Sequence, residues 1–233
     1  MYYKVSNILN DINTILVPPL CFGCNALLSR GEVHLCTVCR NQLPLTEYNF
    51  NAENSVDRVF YGRINIIKAS SFLFFTKKGI VKNLIHYLKY KNQEQIGLFL
   101  GDWYGHLLQQ NNFLTHIDLV VPVPLHRKRL RKRGYNQVAL FAKTIAHHIK
   151  AEYRDDILLK TANTRTQTQK SRLLRWQSKQ ALYILSDPKL LAHKNVLLID
   201  DVITTGATME ACATALSQSQ EVNIYLASIA IVP

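Results

Sequence analysis

The chain has 233 residues, of which 48% are hydrophobic and 19% charged, which is the balance of a folded protein and not of a disordered one. It contains no run of about 18 consecutive apolar residues, which argues against a membrane-spanning helix. The formal net charge of +12 favours polyanionic partners: nucleic acid, phosphate-rich ligands or an anionic membrane surface.

The N-terminal segment has the pattern of a short amphipathic helix. Apolar residues recur at helical spacing between residues 5 and 16, and Pro18 and Pro19 are expected to end the helix. The segment does not have the pattern of a signal peptide, because it carries a single lysine and polar residues interrupt any apolar core. We therefore expect the protein to stay in the cytoplasm.

Two Cys-X-X-Cys pairs follow, Cys21 with Cys24 and Cys36 with Cys39, separated by eleven residues. Thiolates are preferred zinc ligands, and four of them close a tetrahedral site with no open position. Residues 20–45 hold too few apolar side chains to fold unaided, so the metal would supply their stability. The alternative is a thioredoxin-like redox pair, but it needs a βαβ context that this segment lacks. We expect a structural Zn²⁺ ribbon, and whether it also presents a surface to a protein or to nucleic acid stays open.

The next part of the chain predicts a hairpin and two helices. Alternating, β-branched and aromatic residues at 56–75 suggest the hairpin, with Ala69–Phe75 as its stronger strand. An apolar stripe at helical spacing begins after Thr76, and a further helix is expected from about 94 to 110.

Glycines occur at four-residue spacing inside the second of these helices, at Gly97, Gly101 and Gly105. Glycine in a helix costs about 1 kcal/mol relative to alanine. Three glycines on one face therefore predict that another element packs very close to this helix.

The second half of the chain alternates strands with helices. Strands are predicted at Ile117–Val123, Ile157–Lys160, Val196–Ile199 and Val222–Ile231, and helices at about 136–150 and 207–219. Such alternation is typical of a parallel sheet covered by helices on both faces. We therefore predict an α/β domain over residues 51–233, preceded at residues 1–50 by the N-terminal helix and the ribbon.

Most of the functional information lies in the last predicted strand-to-helix connection. Four apolar residues are followed by Asp200 and Asp201, at the end of the strand where ligands bind in open α/β sheets. The loop and the helix start then read Thr204, Thr205, Gly206, Ala207 and Thr208. Gly206 lets an anion approach the backbone, and the helix N-terminus offers free N–H groups. A ribose 5-phosphate fits both parts of this motif, because the loop can bind the phosphate and the carboxylates can accept hydrogen bonds from vicinal hydroxyls.

Two other interpretations of this segment are weaker. An ordinary strand–turn–helix is disfavoured, because adjacent aspartates that end a buried strand would otherwise be costly. A P-loop ATPase is disfavoured because no GxxxxGK[ST] motif occurs in the chain.

Six basic residues fall within seven positions after the strand predicted to end at Val123: Arg127, Lys128, Arg129, Arg131, Lys132 and Arg133. Residues 126–133 are predicted to form a loop, and three interpretations of it stay open. It is a solvated charged loop, or a pyrophosphate clamp whose arginines bind phosphate oxygens bidentately. The third interpretation is a track for single-stranded DNA, in which cations follow the backbone and tyrosines stack on bases. Tyr87, Tyr90 and Tyr135 are the candidate stacking residues.

The motif VLLIDDVITTGAT at residues 196–208 resembles the phosphoribosyl pyrophosphate motif of type I phosphoribosyltransferases, with every key position filled. Over nearly its whole length the chain also resembles the ComF family of competence-associated proteins. The motifs that carry this resemblance are the two cysteine pairs, Leu88–Lys91, Val121–Pro124 and Arg133–Gln137. The resemblance implies a type I phosphoribosyltransferase-like parallel sheet flanked by helices, with an N-terminal zinc ribbon of four cysteine ligands.

The same resemblance implies roles for the site residues. Asp200 and Asp201 would hold the ribose hydroxyls with the help of Mg²⁺. The 5-phosphate would bind to Thr204, Thr205, Gly206, Ala207 and Thr208. The strand end at Val123–Leu125 and the basic residues after it would face the pyrophosphate. Residues 161–180 would correspond to a hood that closes over the site. Asn136 and Gln137 either open the following helix or, as the family pattern favours, lie near the ligand.

Three functions follow and stay open. One is an enzyme that transfers phosphoribose to an unknown acceptor, with Asp200 and Asp201 as its catalytic residues. Another is a protein that binds phosphoribosyl pyrophosphate and takes part in the cytoplasmic handling of single-stranded DNA during natural transformation, which is what the ComF resemblance implies. The third is an adaptor that docks to a competence helicase or a recombination protein through the ribbon.

Overall fold

A computed structural model describes residues 18–110, 114–161 and 182–233 of the protein. The strands of its central sheet are β1 Lys68–Phe74, β2 Leu119–Pro122, β3 Glu152–Tyr153, β6 Asn195–Ile203 and β7 Asn223–Ile231. They lie in the order β1-β7-β6-β2-β3, and each neighbouring pair is parallel. Two further strands, β4 Leu158–Lys160 and β5 Tyr183–Leu185, form a separate antiparallel pair.

Helices cover both faces of this sheet. The α-helices are α1 Thr37–Asn41, α2 Ser55–Phe60, α3 Ile80–Tyr90, α4 Gln95–Gln109, α5 Arg127–Arg133, α6 Ala139–Ile149 and α7 Ala207–Leu216. A short 3₁₀ helix at Pro188–Leu191 precedes β6. The predicted α/β fold with a parallel sheet between helices is confirmed.

Strand β6 divides the interior into two hydrophobic cores, because its successive side chains point to opposite faces. Leu197 and Ile199 belong to the core built with α3, α4 and α6. Val196 and Leu198 belong to the other core, built with α2, α7 and the β4–β5 pair. The same alternation decides where the polar residues at the end of the strand lie.

The glycines of α4 mark its contact with α6, as predicted. A Cβ atom added to Gly101 would lie 2.8 Å from the carbonyl oxygen of Phe141, and one added to Gly105 would lie 2.6 Å from the ring of His148. At Gly97 the nearest atom, the backbone nitrogen of Phe141, would be 3.4 Å away. A larger side chain at Gly101 would clash with the backbone of α6, and one at Gly105 would displace the side chain of His148.

The predicted hairpin at 56–75 is wrong in its first half. Residues Ser55–Phe60 form α2, and only Lys68–Phe74 is a strand. The helix is started by a capping box: the side chain of Asn54 accepts hydrogen bonds from the N–H groups of Val56 and Asp57, and the Asp57 carboxylate accepts from the N–H of Asn54. This local polar pattern outweighs the alternation of the apolar residues.

Two predicted strands also differ from the structure. Leu158–Lys160 pairs with β5 outside the central sheet. Strand β6 does not end at Ile199 but continues to Ile203, because β7 is equally long and pairs with it as far as Ile231. As a result, both aspartates lie within the strand and not after it.

The ribbon packs on the face of the sheet that carries α3 and α4. Buried Cys21 and Cys39 belong to the same hydrophobic core as Leu84 and Leu100. Asn83 of α3 donates a hydrogen bond of 2.7 Å to the carbonyl oxygen of Gly23. The division into a module at 1–50 and a domain at 51–233 stays a prediction. The predicted N-terminal helix and almost all of the predicted hood at 161–180 lie outside the described residues.

Candidate functional site

The four cysteines of the ribbon converge on one point. The sulfur atoms of Cys21, Cys24, Cys36 and Cys39 all lie within 4.8 Å of one another, which suits a single tetrahedral metal ion. Cys21 and Cys39 are buried, whereas Cys24 is exposed. Cys36 caps α1, since its sulfur accepts from the N–H of Cys39 at 3.4 Å.

Backbone N–H groups support a thiolate at Cys21. The N–H groups of Cys36 and Gly23 lie 3.2 Å and 3.3 Å from its sulfur. Burial alone would raise the pKa of Cys21, but these hydrogen bonds, together with those from Cys24, lower the pKa to about 7. Because metal ligation requires the deprotonated thiol, four soft sulfur ligands with such donors fit Zn²⁺.

The end of β6 places Asp200 and Asp201 on opposite faces of the sheet, as the alternation of a strand requires. Both are largely buried, with 8% and 6% of their surfaces exposed. Burial and the neighbouring charge of Asp201 raise the pKa of Asp200 to about 7. The carboxylate of Asp200 also accepts a hydrogen bond of 2.8 Å from the N–H of Asp201.

Three side chains from distant elements gather at Asp201. Lys89, near the end of α3, donates to one carboxylate oxygen at 2.8 Å. Gln137, just before α6, donates to the other oxygen at 2.6 Å. Arg133, the last residue of α5, donates in turn to the side-chain oxygen of Gln137. Gln137, which was expected near the ligand, therefore lies directly beside one of the two predicted ribose-binding residues.

Asp200 faces a different group of side chains. Its charge raises the pKa values of Cys212 and Tyr183, each already raised by burial. Lys160 lies on this face as well, and its ammonium donates to the Tyr183 hydroxyl at 2.6 Å. Burial lowers the pKa of Lys160, and the charge of Arg129 lowers it further. Arg129 of α5 therefore approaches this face, whereas Arg133 reaches the other.

The predicted phosphate loop lies between β6 and α7. Thr204, Thr205, Ala207 and Thr208 are exposed there. Gly206 is buried with φ +74°, and a Cβ atom on it would lie 2.7 Å from Val59. Both the backbone conformation and the close contact require glycine at this position. Gly206 is also the N-cap of α7, and no side-chain hydrogen bond caps the first N–H groups of the helix.

Arg63 braces this loop from the opposite side. Its guanidinium donates to the carbonyl oxygen of Thr205 at 2.6 Å and to that of Val59 at 2.9 Å. It also forms an ion pair with Glu210 in the first turn of α7. These contacts tie the loop to α2 and to the first turn of α7.

The basic segment is a helix and not the predicted loop. His126 caps it, accepting from the N–H of Lys128 at 3.2 Å, and Gly134 ends it in a left-handed conformation. None of its residues is buried. Four residues separate it from Pro122, the last residue of β2, which pairs with Ile199 of β6, so the cationic helix lies at the same sheet edge as the two aspartates.

Lys89 and Arg63 were not assigned to the site from the sequence. Lys89 lies in the Leu88–Lys91 motif, which was a usable signal, but no pattern tied it to Asp201, 112 residues away. Arg63 meets Thr205 across 142 residues and lies in a segment interpreted as a hairpin, so no local signal identified it.

Within the described ranges, no helix combines the length and apolarity needed to cross a bilayer.

Comparisons with known proteins show which domain and which proteins the chain resembles. Residues 138–227 match the model of the phosphoribosyl transferase domain, which covers α6, the phosphate loop and most of β7. The chain is 24% identical over 219 residues to a DNA utilization protein of Escherichia coli K12, covering 87% of this chain and 92% of that protein. It is 26% identical to competence protein F of Haemophilus influenzae, covering 84% and 90%. It is 24% identical to competence protein ComFC of Bacillus subtilis, covering 84% and 77%.

Proposed function

This chain belongs to the ComF family of the type I phosphoribosyltransferase superfamily, and on that premise we propose that it binds phosphoribosyl pyrophosphate and acts on single-stranded DNA. One observation carries the proposal. The phosphate loop, the two aspartates and the cationic helix α5 meet at a single edge of the sheet. An anionic sugar phosphate and a polyanionic strand would both be held there.

The sugar phosphate half rests on the phosphate loop. The exposed Thr204, Thr205 and Thr208 offer hydroxyl donors, and the first N–H groups of α7 face the same space. The 5-phosphate would bind in this loop, and the carboxylates of Asp200 and Asp201 would accept hydrogen bonds from the ribose hydroxyls. Arg63 would keep the loop in place without contacting the ligand.

Mg²⁺ would enter together with the pyrophosphate. Both oxygens of Asp201 already accept hydrogen bonds from Lys89 and Gln137. Asp201 therefore does not form a metal site made of protein ligands alone. Mg²⁺ in proteins commonly binds one or two carboxylates together with the phosphates of a substrate. When bound, the ion would neutralise the charge of the pyrophosphate beside the aspartates.

Calorimetric titration with phosphoribosyl pyrophosphate and Mg²⁺ tests this half. We expect saturable binding to the wild type and binding about 10- to 100-fold weaker for Asp200→Asn/Asp201→Asn, since a hydrogen bond to a charged group contributes about 1.5–3 kcal/mol. Asp102→Asn, on the exposed surface of α4, is the matched control and should bind like the wild type. Equal heats for all three proteins would exclude the site.

The DNA half rests on α5 and on the relatives, which are named for DNA utilization and competence. None of the six cations of α5 is buried, and all but Arg133 are exposed to solvent. We propose that they follow the backbone of a single strand, in the cytoplasm, during natural transformation. The charge of Arg129 acts on Lys160, on the same face as Asp200, and Arg133 donates to the Gln137 that contacts Asp201, so the helix would connect the strand with the sugar phosphate.

Charge reversal tests the DNA half without disturbing the aspartates. Lys128→Glu/Arg131→Glu/Lys132→Glu changes only exposed residues of α5. We expect this variant to lose sequence-tolerant, salt-sensitive binding to labelled oligothymidylate. The same charge change at exposed Lys77, Lys78 and Lys82 is the control. Equal losses in both variants would mean that net charge, and not α5, attracts the strand.

Two alternatives have their own supporting observations. The paired carboxylates and the cations around them suit a phosphoribosyltransferase enzyme with no DNA role, and release of pyrophosphate that depends on Asp200 and Asp201 would support it. The second alternative is an adaptor for a helicase or a recombination protein. The exposed apolar side chains of Leu27, Val33 and Val38 on the ribbon would provide its docking surface. Val33→Ser/Val38→Ser leaves the cysteines intact and should abolish capture of such a partner if the ribbon docks it.

A further inference from the structure

Tyr90 is an exposed aromatic residue beside the proposed site. It is the last residue of α3, and 67% of its surface is exposed. The guanidinium carbon of Arg133 lies 5.6 Å from the centre of its ring. The ring of His86 lies 5.3 Å away on the same helix. Tyr90 thus presents a ring and a neighbouring planar cation to solvent.

The two other tyrosines considered for base stacking are engaged elsewhere. Tyr87 packs its ring against Phe22 of the ribbon and donates its hydroxyl to Asn25. Tyr135 donates its hydroxyl to the carbonyl oxygen of Leu88 and is only partly exposed. Tyr90 is the most exposed of these three tyrosines.

Two short connections hold Tyr90 close to Asp201. Its chain neighbour Lys89 donates directly to the Asp201 carboxylate at 2.8 Å. Arg133, which lies over the ring, is linked through Gln137 to the other oxygen of the same carboxylate. The hydrogen bond from Tyr135 to Leu88 further ties the end of α3 to the loop after α5. A ligand at Asp201 would therefore lie against Lys89, the chain neighbour of Tyr90, and against Gln137, which binds Arg133.

We propose that Tyr90 and Arg133 form a stacking subsite for a nucleobase. Aromatic rings and guanidinium planes both stack on the flat face of any base, so the subsite would be tolerant of sequence. The cations of α5 beside it would hold the adjoining phosphates. This inference rests on the proposed function, since it assigns the base next to the sugar–phosphate site. A base of a single strand and the base of a free nucleotide share this chemistry.

Fluorescence anisotropy with two labelled probes tests the subsite: oligothymidylate and an abasic oligonucleotide of the same length and charge. We expect Tyr90→Ala to weaken binding of oligothymidylate about 10-fold, within the range for removal of one base–aromatic stack. Binding of the abasic strand should not change, and Tyr90→Phe should bind both probes like the wild type. Tyr61→Ala is the matched control, because Tyr61 is 58% exposed but lies beside the charges of Glu53 and Asp57.

Further measurements separate this inference from the proposed function and identify the source of the base. Titration with phosphoribosyl pyrophosphate should give the same affinity for Tyr90→Ala and the wild type. If the wild type does not bind phosphoribosyl pyrophosphate but still shows the Tyr90-dependent difference between the two probes, the sugar–phosphate site is refuted and the stacking subsite is not. Thymidine 5′-phosphate binding that depends on Tyr90 would add a free nucleotide as a ligand of the same subsite. Equal losses for both oligonucleotides, or no loss for either, would overturn the stacking subsite.

Discussion

Asp200 and Asp201 are adjacent in the chain and equally buried, yet their surroundings differ. Asp201 faces α3 and α6 and receives hydrogen bonds from a lysine and a glutamine, each reaching a separate oxygen. Asp200 faces α7 and the β4–β5 pair, where burial and the charge of Asp201 raise its pKa to about 7. One carboxylate is compensated by direct partners, and the other retains its proton up to neutral pH. Two adjacent acidic residues of one motif can therefore differ in protonation state at the same pH.

The largest effect is expected from Asp200→Asn, and it should depend on pH. The pKa of Asp200 is raised from 3.8 to about 7 in the folded protein, so the unfolded chain loses this proton first. As pH rises through that window, ionisation favours the unfolded state and the wild type loses stability that it has at lower pH. Asp200→Asn cannot ionise here and does not lose this stability. We expect the free energy of unfolding of the variant, relative to that of the wild type, to rise by about 2–4 kcal/mol between pH 4 and pH 8.

Urea denaturation of both proteins at several pH values measures this difference. Glu47→Gln is the control for loss of an exposed carboxylate. A constant difference between the wild type and Asp200→Asn across the pH range would show that the folded protein does not hold this proton.

Lys89→Met tests the surroundings of Asp201. It removes the ammonium and leaves the buried Asp201 carboxylate with Gln137 as its remaining direct partner. We expect a loss of about 2–3 kcal/mol at neutral pH, below the range for a fully buried pair because Lys89 is partly exposed. Adding Asp201→Asn should restore most of the stability. A double variant as unstable as the sum of both single variants would mean that the two groups do not interact.

Tyr183→Phe should have the smallest effect. It removes the hydroxyl that accepts the 2.6 Å hydrogen bond from Lys160, and we expect a loss of about 1 kcal/mol. Because Tyr183 and Lys89 lie on opposite faces of the sheet, their effects should add in the double variant. Non-additivity in the denaturation midpoints would show that the two faces communicate through β6.

Short-range patterns were sufficient for several parts of the molecule. The spacing of the four cysteines predicted a cluster that the structure confirms, because each Cys-X-X-Cys turn brings two sulfurs together locally. The glycines of α4 predicted a close helix contact, because only packing compensates for their cost in a helix. Strand β6, the loop after it and α7 were also readable, since a buried strand, a glycine turn and a helix start follow one another without interruption.

The arrangement of the site was decided by tertiary structure. Pairing with an equally long β7 extended β6 through both aspartates and sent their side chains to opposite faces. Contacts across more than 100 residues brought Lys89 to Asp201 and Arg63 to Thr205. The sequence by itself thus determined which local turns, strands and metal ligands form, because their causes lie within a few residues. The partners of each buried charge depended on which helices pack on which face of the sheet, and that is a property of the folded chain.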